Sequence, residues 1–439
     1  MNSIVRVLGL ASRKTLNGRR SFLSEAYRCQ EVWNNRLDSP VLKSINIDNM
    51  YQALDQSFQN NGRTSVVDVD LFANCVVDDS FADELEDIVH KLRLSPYTSS
   101  MFPSTHHAVI RAYLTMGKYD ALMRMLNDRL NYGIFPDYYC SNLMMDQFLK
   151  EKRYREAAKV ATFQMLQEDW RHPITSYLGL FSCHSYLLNK TSDPWEVEIN
   201  ETDEPEEEVK VRVKYIQNKY FDDHFDLREP YHLIGKTFVI LSKALPENDP
   251  VRTTYELIGW ALYEKWSKAK SVVQELLGTP QCIISEGVQL LEELLGGSDG
   301  KKSSEEAEDF LKLLSSLPSD NLMSESSLFE LLKSKVEKAV AENEKIDIDN
   351  QIEKLKAWEK FREKEVEIEA ENLRKESIMQ KVDERKKEIA EKEEVLFFFE
   401  NKDKLDVMIE KNEILKSQIT KSEKKVKSID EDYIPPDIK

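Results

Sequence analysis

A repeat of fixed period constrains this chain more than any other feature. Shifted by 35 residues, Val109 falls on Met144, Ile110 on Met145, Tyr113 on Phe148 and Leu114 on Leu149. The same shift places Tyr119 on Tyr154, Leu122 on Ala157, Leu126 on Ala161, Leu130 on Met165 and Phe135 on Trp170. Matches held in one register mark a structural repeat, and the three-and-four spacing inside each copy marks a pair of helices. Pro103 suits a first helical turn, where its missing N–H costs nothing. Gly117 closes the first helix of one copy, and "KEKR" closes that of the next. Gly133 can take a left-handed turn and Pro136 stops continuation. Each helix carries an apolar stripe that one pair cannot hide, so pairs must stack. The expected fold class is all-α: a helical-repeat solenoid of stacked helix pairs followed by a long charged C-terminal helix.

Composition agrees with helix. Charged residues make up 32% of the 439 positions, with 13 Gly and 14 Pro, which favours helix over sheet. No run of 18 apolar residues occurs, so no membrane span is expected. Cys29, Cys75, Cys140, Cys183 and Cys282 form no C-x-x-C pair, a spacing that suits reduced thiols in a reducing compartment. Residues 1–24 break the pattern. They hold Arg6, Arg13, Lys14, Arg19 and Arg20 and no acid, with Ile4, Val5, Leu8 and Leu16 near one helical face. That make-up predicts a mitochondrial presequence. Removing those five cations lowers the formal net charge from −18 to −23. So acidic a chain does not coat nucleic acid unspecifically, and any RNA contact must come from a local basic face.

The repeat organises the segments between. Residues 25–190 are expected to form the helical array, with a degenerate first copy from Val67, better copies at 103–137 and 138–172, and a further pair from Pro173. An acidic linker follows at 191–216, ending in the alternating "VKVRVKY", read as an extended connector or helix start. Further helical pairs are expected at 217–295, a flexible linker with short helices at 296–343, the charged helix at 344–431 and a tail at 432–439. In that helix Val382, Ile389 and Leu396 are seven apart but the heptads are not sustained, which suits a helix lying on a partner.

Catalytic constellations are missing. "GKT" at 235–237 lacks the phosphate loop's earlier glycine, because Pro230 stands there. His106 and His107 are adjacent and point about 100° apart on a helix, so they cannot chelate one ion together. Acidic pairs such as those in "EPEEE" sit in polar loops with no apolar pocket to shift a pKa. No enzyme activity, metal, cofactor or small-molecule substrate is expected.

The turn "GIFPD" and the helix "SNLMMDQFLK" resemble the pentatricopeptide family, whose repeats can present first-helix side chains and a repeat's last residue to one RNA base. That resemblance makes Pro103 and Tyr138 first positions, His107 and Asn142 fifth positions, and Asp137 and His172 last positions. Ser104 and Tyr139, beside the first positions, join the candidate RNA-binding set. The pairs within repeats are then His107 with Asp137 and Asn142 with His172. Neither is a standard base-reading pair, which favours binding by shape and phosphate contact. Lys150, Lys152, Arg153 and Arg155 form the local basic cluster.

"FLSEAY" with Trp33, "YGIFPD" followed by "NLMMD", Phe148, Lys150, Tyr154 and Ala157, and "KTSDPWE" are similar to the family of small-subunit mitochondrial ribosomal protein twenty-seven. The resemblance implies a non-catalytic, RNA-contacting ribosomal component in the mitochondrial matrix. Its implied partners are the small-subunit mitochondrial rRNA and neighbouring mitochondrial ribosomal proteins. Two other readings stay open: a free pentatricopeptide factor acting on an organellar transcript, and a matrix protein–protein adaptor that touches no RNA.

Overall fold

The helix starts reproduce the sequence period. A computed structural model describes residues 21–190, 194–195, 222–278, 282–296, 305–315, 318, 322–323 and 327–430. The expected presequence up to residue 20, most of the expected acidic linker with "VKVRVKY", and the tail at 432–439 lie outside the described residues. Three helices come first: the short α1 (Gln30–Asn35) and α2 (Pro40–Lys43), and the longer α3 (Ile47–Asn61). Pairs follow: α4 (Val66–Cys75) with α5 (Ala82–Leu94), α6 (Pro103–Met116) with α7 (Tyr119–Asn127), and α8 (Tyr138–Glu151) with α9 (Tyr154–Leu166). Then come α10 (Pro173–Asn189), α11 (Pro230–Leu241), α12 (Pro250–Leu262), α13 (Trp266–Gly278), α14 (Ser285–Gly296) and α15 (Glu305–Ser315). The charged segment forms α16 (Leu328–Leu396), which starts ahead of residue 344, and α17 (Phe398–Asp430). Two two-residue strands, β1 (Ile283–Ile284) and β2 (Leu322–Met323), pair in parallel. The fold is all-α and built of stacked helical repeats.

Backbone signals carry the register as clearly as the apolar ones. Helices α6, α8 and α10 begin at 103, 138 and 173. The left-handed residue that ends α6 is Gly117 (φ 73°), and 35 residues on it is Lys152 (φ 65°). Likewise Gly133 (φ 64°) corresponds to Glu168 (φ 57°). Before α8, the Asp137 carboxylate accepts from the Cys140 N–H at 2.8 Å, satisfying one of the orphan donors of the first turn.

Of the nine matched pairs, two differ in burial: Phe135 is exposed whereas Trp170 is half-buried against the core, and the larger difference is at Leu130. Leu130 is 83% exposed whereas Met165 is fully buried. The reason is length: α7 stops at Asn127 while α9 continues to Leu166. Leu130 therefore sits in a turn, its carbonyl accepting from Arg93 Nε at 2.9 Å.

The "GKT" glycine has a packing role. A Cβ on Gly235 would lie 2.7 Å from the Gly259 carbonyl oxygen, and one on Gly259 would lie 2.7 Å from that of Gly235. These two positions let α11 and α12 approach backbone to backbone, as only glycine allows.

The chain divides into two units, residues 1–362 and 363–439. In the first, one apolar core runs through all the helical pairs and takes in Leu328, Leu332, Val336 and Val340 of α16. In the second, no described side chain is buried, and Ile368, Ile378, Val382 and Ile389 are exposed. No helix among the described residues is long and apolar enough to cross a membrane.

Candidate nucleic-acid interface

The first helix of each pair presents its N-terminal side chains to one face, where the sequence placed its base-contacting candidates. Two other parts of the chain lie on that face: the N-terminal residues 21–36 and the α16 residues 328–362.

Around Asn142 the contacts are aromatic and polar. Tyr27 and Tyr139 stack with ring centroids 5.0 Å apart, and the Tyr139 hydroxyl donates to the Tyr27 carbonyl. The Asn142 amide donates to the Tyr27 hydroxyl at 2.9 Å. That hydroxyl donates in turn to Asp347 of α16 at 3.0 Å. Burial, with Asp347 beside it, holds the Tyr27 phenol well above its usual range. The other Asp347 oxygen meets His172 Nε2 at 3.0 Å. His172 stacks on Tyr138 at 4.4 Å, and the Lys354 ammonium lies 4.4 Å from the centre of the Tyr138 ring. Asn142 and Tyr139 are fully buried.

His107 lies between Trp33 at 5.1 Å, Trp358 at 5.2 Å and Tyr139 at 5.6 Å. Its Nδ1 is 3.1 Å from Cys140 Sγ. Burial, and then the nearby Arg111, Arg36 and Lys354, push its pKa well down, so the imidazole is neutral. Ser104 and Thr105 both donate to Asp70 Oδ1, at 2.5 and 2.7 Å. Arg362 donates to Asp70 Oδ2 at 2.7 Å.

The basic cluster is largely paired. Lys150 is 3.6 Å from Glu25. Arg153 pairs with Asp120 and, at 3.1 Å, with Glu156. Arg155 meets Glu156 at 2.5 Å. Lys152 is exposed. The structure thus gathers four cations near one helix end without leaving them all open to phosphate.

One donor set has the composition of a metal site: His107, Asp137 and Cys140 offer atoms within 4.8 Å of one another. Its surroundings oppose a dication. Arg36, Arg111 and Lys354 are the cations that depress His107, burial raises the Cys140 thiol, and Asp137 is engaged as a helix cap.

Sequence reading missed Asp70, Tyr27, Asp347, Trp358 and Arg362. A signal was available. Leu328, Leu332, Val336, Val340, Asp347, Gln351, Lys354, Trp358 and Arg362 follow one another at three, four or seven residues, so they share one helical face. Its second half is polar, and a polar stripe reads as solvated.

The family described as mitochondrial 28S ribosomal protein S27 matches residues 1–392 of this chain. That span covers every described element of the first unit, including both segments that close the first-helix face. The chain belongs to the mitochondrial 28S ribosomal protein S27 family.

Proposed function

We propose that this mitochondrial small-subunit ribosomal protein is a non-catalytic scaffold of the matrix ribosome. It contacts rRNA and neighbouring proteins through its outer surfaces and supports translation without decoding bases. The observation that carries this reading is the burial of Ser104, His107, Tyr139 and Asn142. A base could reach them only by displacing residues 21–36 and α16, and with them a set of buried aromatic and charged contacts. Exposed cations such as Lys152 then serve as phosphate contacts, with Arg153 and Arg155 reaching RNA only by exchanging carboxylate partners. Phosphate binding of this kind weakens steeply with salt.

Sedimentation of a matrix lysate tests the reading. Comigration of the protein with small subunits supports it; a peak of free protein supports a free transcript-binding factor or an adaptor. The adaptor reading has one observation of its own, the exposed apolar side chains of the second unit, such as Ile368, Ile378, Ile389 and Met408.

A further inference from the structure

Asp146 on α8 is a buried carboxylate without a cation. It is 5% exposed, and burial raises its pKa. Its hydrogen bonds all come from the N-terminal segment. The Phe22 N–H donates to Oδ1 at 2.8 Å, the Leu23 N–H donates to the same oxygen at 3.3 Å, and the Ser21 hydroxyl donates to Oδ2. The nearest cation acting on it, Arg28, donates instead to Gln147. Among the described residues no ion pair includes Asp146. A carboxylate this buried and unneutralised is costly unless a positive charge arrives.

We propose that presequence removal supplies that charge: cleavage between Ser21 and Phe22 creates an α-ammonium that pairs with Asp146 and locks the N-terminal segment onto the first-helix face. Hydrolysis of this peptide bond consumes one water, leaves a carboxylate on Ser21 and leaves an amine on Phe22 that is protonated at neutral pH. The amine already sits at hydrogen-bonding distance, and the extra N–H groups of the ammonium replace the Ser21 hydroxyl lost with the presequence.

Geometry selects the bond. A cut after Phe22 would discard a ring that packs edge-on against Phe181 of α10 at 4.9 Å. It would also move the new amine to Leu23, whose nitrogen is farther from the carboxylate. A cut before Ser21 would leave the Phe22 nitrogen an uncharged amide. The other charged groups around the site are Glu25 and Arg28 of the N-terminal turn, Lys150 of α8, held by Glu25, and Glu344 of α16. Glu344 accepts from the Ser24 N–H at 2.7 Å, so two carboxylates gather the amides of three successive residues.

The position of the cut rests on the import reading, whereas the lock does not, and the two are tested separately. Four proteins are compared: the chain starting at Phe22 with a free amine, the same chain acetylated there, and both of these forms carrying Asp146→Asn. The free-amine form should melt higher than the acetylated form by about 2 °C or more at neutral pH. An unpaired α-amine titrates near about 8. Pairing raises that value in the folded state, so the advantage is complete below about 8 and disappears as pH rises through the raised value. Asp146→Asn should abolish the difference. If that variant does not fold, the rate at which an acylating reagent modifies the amine decides, since a paired, half-buried amine reacts slowly in the native chain and at the unfolded rate in denaturant. Equal melting of free and acetylated chains, or fast acylation of the native amine, overturns the lock. A mature terminus mapped from mitochondria at any residue other than Phe22 overturns the cleavage position.

Discussion

Arg362 and Asp70, 292 positions apart in sequence, form an ion pair at 2.7 Å with side chains 5% and 0% exposed. The arginine belongs to α16 and the aspartate to α4. Asp70 also accepts from Ser104 and Thr105, so one carboxylate ties a repeat helix, its neighbour and the covering helix together. Arg362→Met leaves that carboxylate buried without its cation and should cost about 3–5 kcal/mol. Adding Asp70→Asn, which keeps an acceptor for the two hydroxyls, should restore part of the loss. Thermal melts of the single and double variants measure both effects.

Leu126 is 1% exposed, packed in the core between helical pairs. Leu126→Asp buries an unpaired charge and should cost several kcal/mol, on the order of 3 or more. Both helical circular dichroism and the melting temperature should fall. Leu130→Asp, at the exposed mismatched position, should change stability by about 0.5 kcal/mol or less. If the two variants behave alike, the packing register is wrong.

Lys152 occupies a left-handed conformation that its repeat counterpart fills with glycine. Relieving that strain makes Lys152→Gly stabilising by up to about 1 kcal/mol, and Gly117→Ala should be destabilising by about 1 kcal/mol or more. Denaturant midpoints of the two variants should move in opposite directions.

These three sites show how far the sequence carries. Leu126 and the helix starts were legible because packing repeats every 35 residues, and Gly117 because glycine marks a left-handed cap. Lys152 was not: nothing in a lysine announces a positive φ, so the "KEKR" stretch read as a helix end and a cationic patch. Asp70 and Arg362 were illegible for a different reason. A charged residue reads as solvated unless its partner is known, and here the partner lies in a segment whose composition looks wholly exposed. Asn142 sits at the position that the family pattern assigns to base contact, but the sequence does not say that Tyr27 and α16 lie over it.

Acid should weaken the fold through His184. The ring is 1% exposed, and its Nδ1 is hydrogen-bonded with the Tyr255 hydroxyl at 2.8 Å. Burial lowers its pKa to about 4, against about 6.5 when unfolded. A depressed histidine pKa means the unfolded chain binds the proton first. The stability tied to neutral His184 is therefore intact above about 6.5 and is lost as pH falls towards about 4, on the order of 3 kcal/mol in all. His184→Asn, which retains an acceptor for Tyr255 but no titrating ring, should shift the acid-unfolding midpoint to lower pH. An unchanged midpoint would mean that the ring is protonated in the native state.

The central claim is that the first-helix face is closed by the protein itself while the chain serves in the small ribosomal subunit. Ultraviolet crosslinking of native small subunits, followed by mass spectrometry of RNA-bearing peptides, tests it most directly. The account predicts RNA adducts at exposed positions such as Lys152 and none at Ser104, His107, Tyr139 or Asn142. RNA adducts at Tyr139 or Asn142 would contradict it, because bases would then occupy the space assigned to Tyr27 and α16.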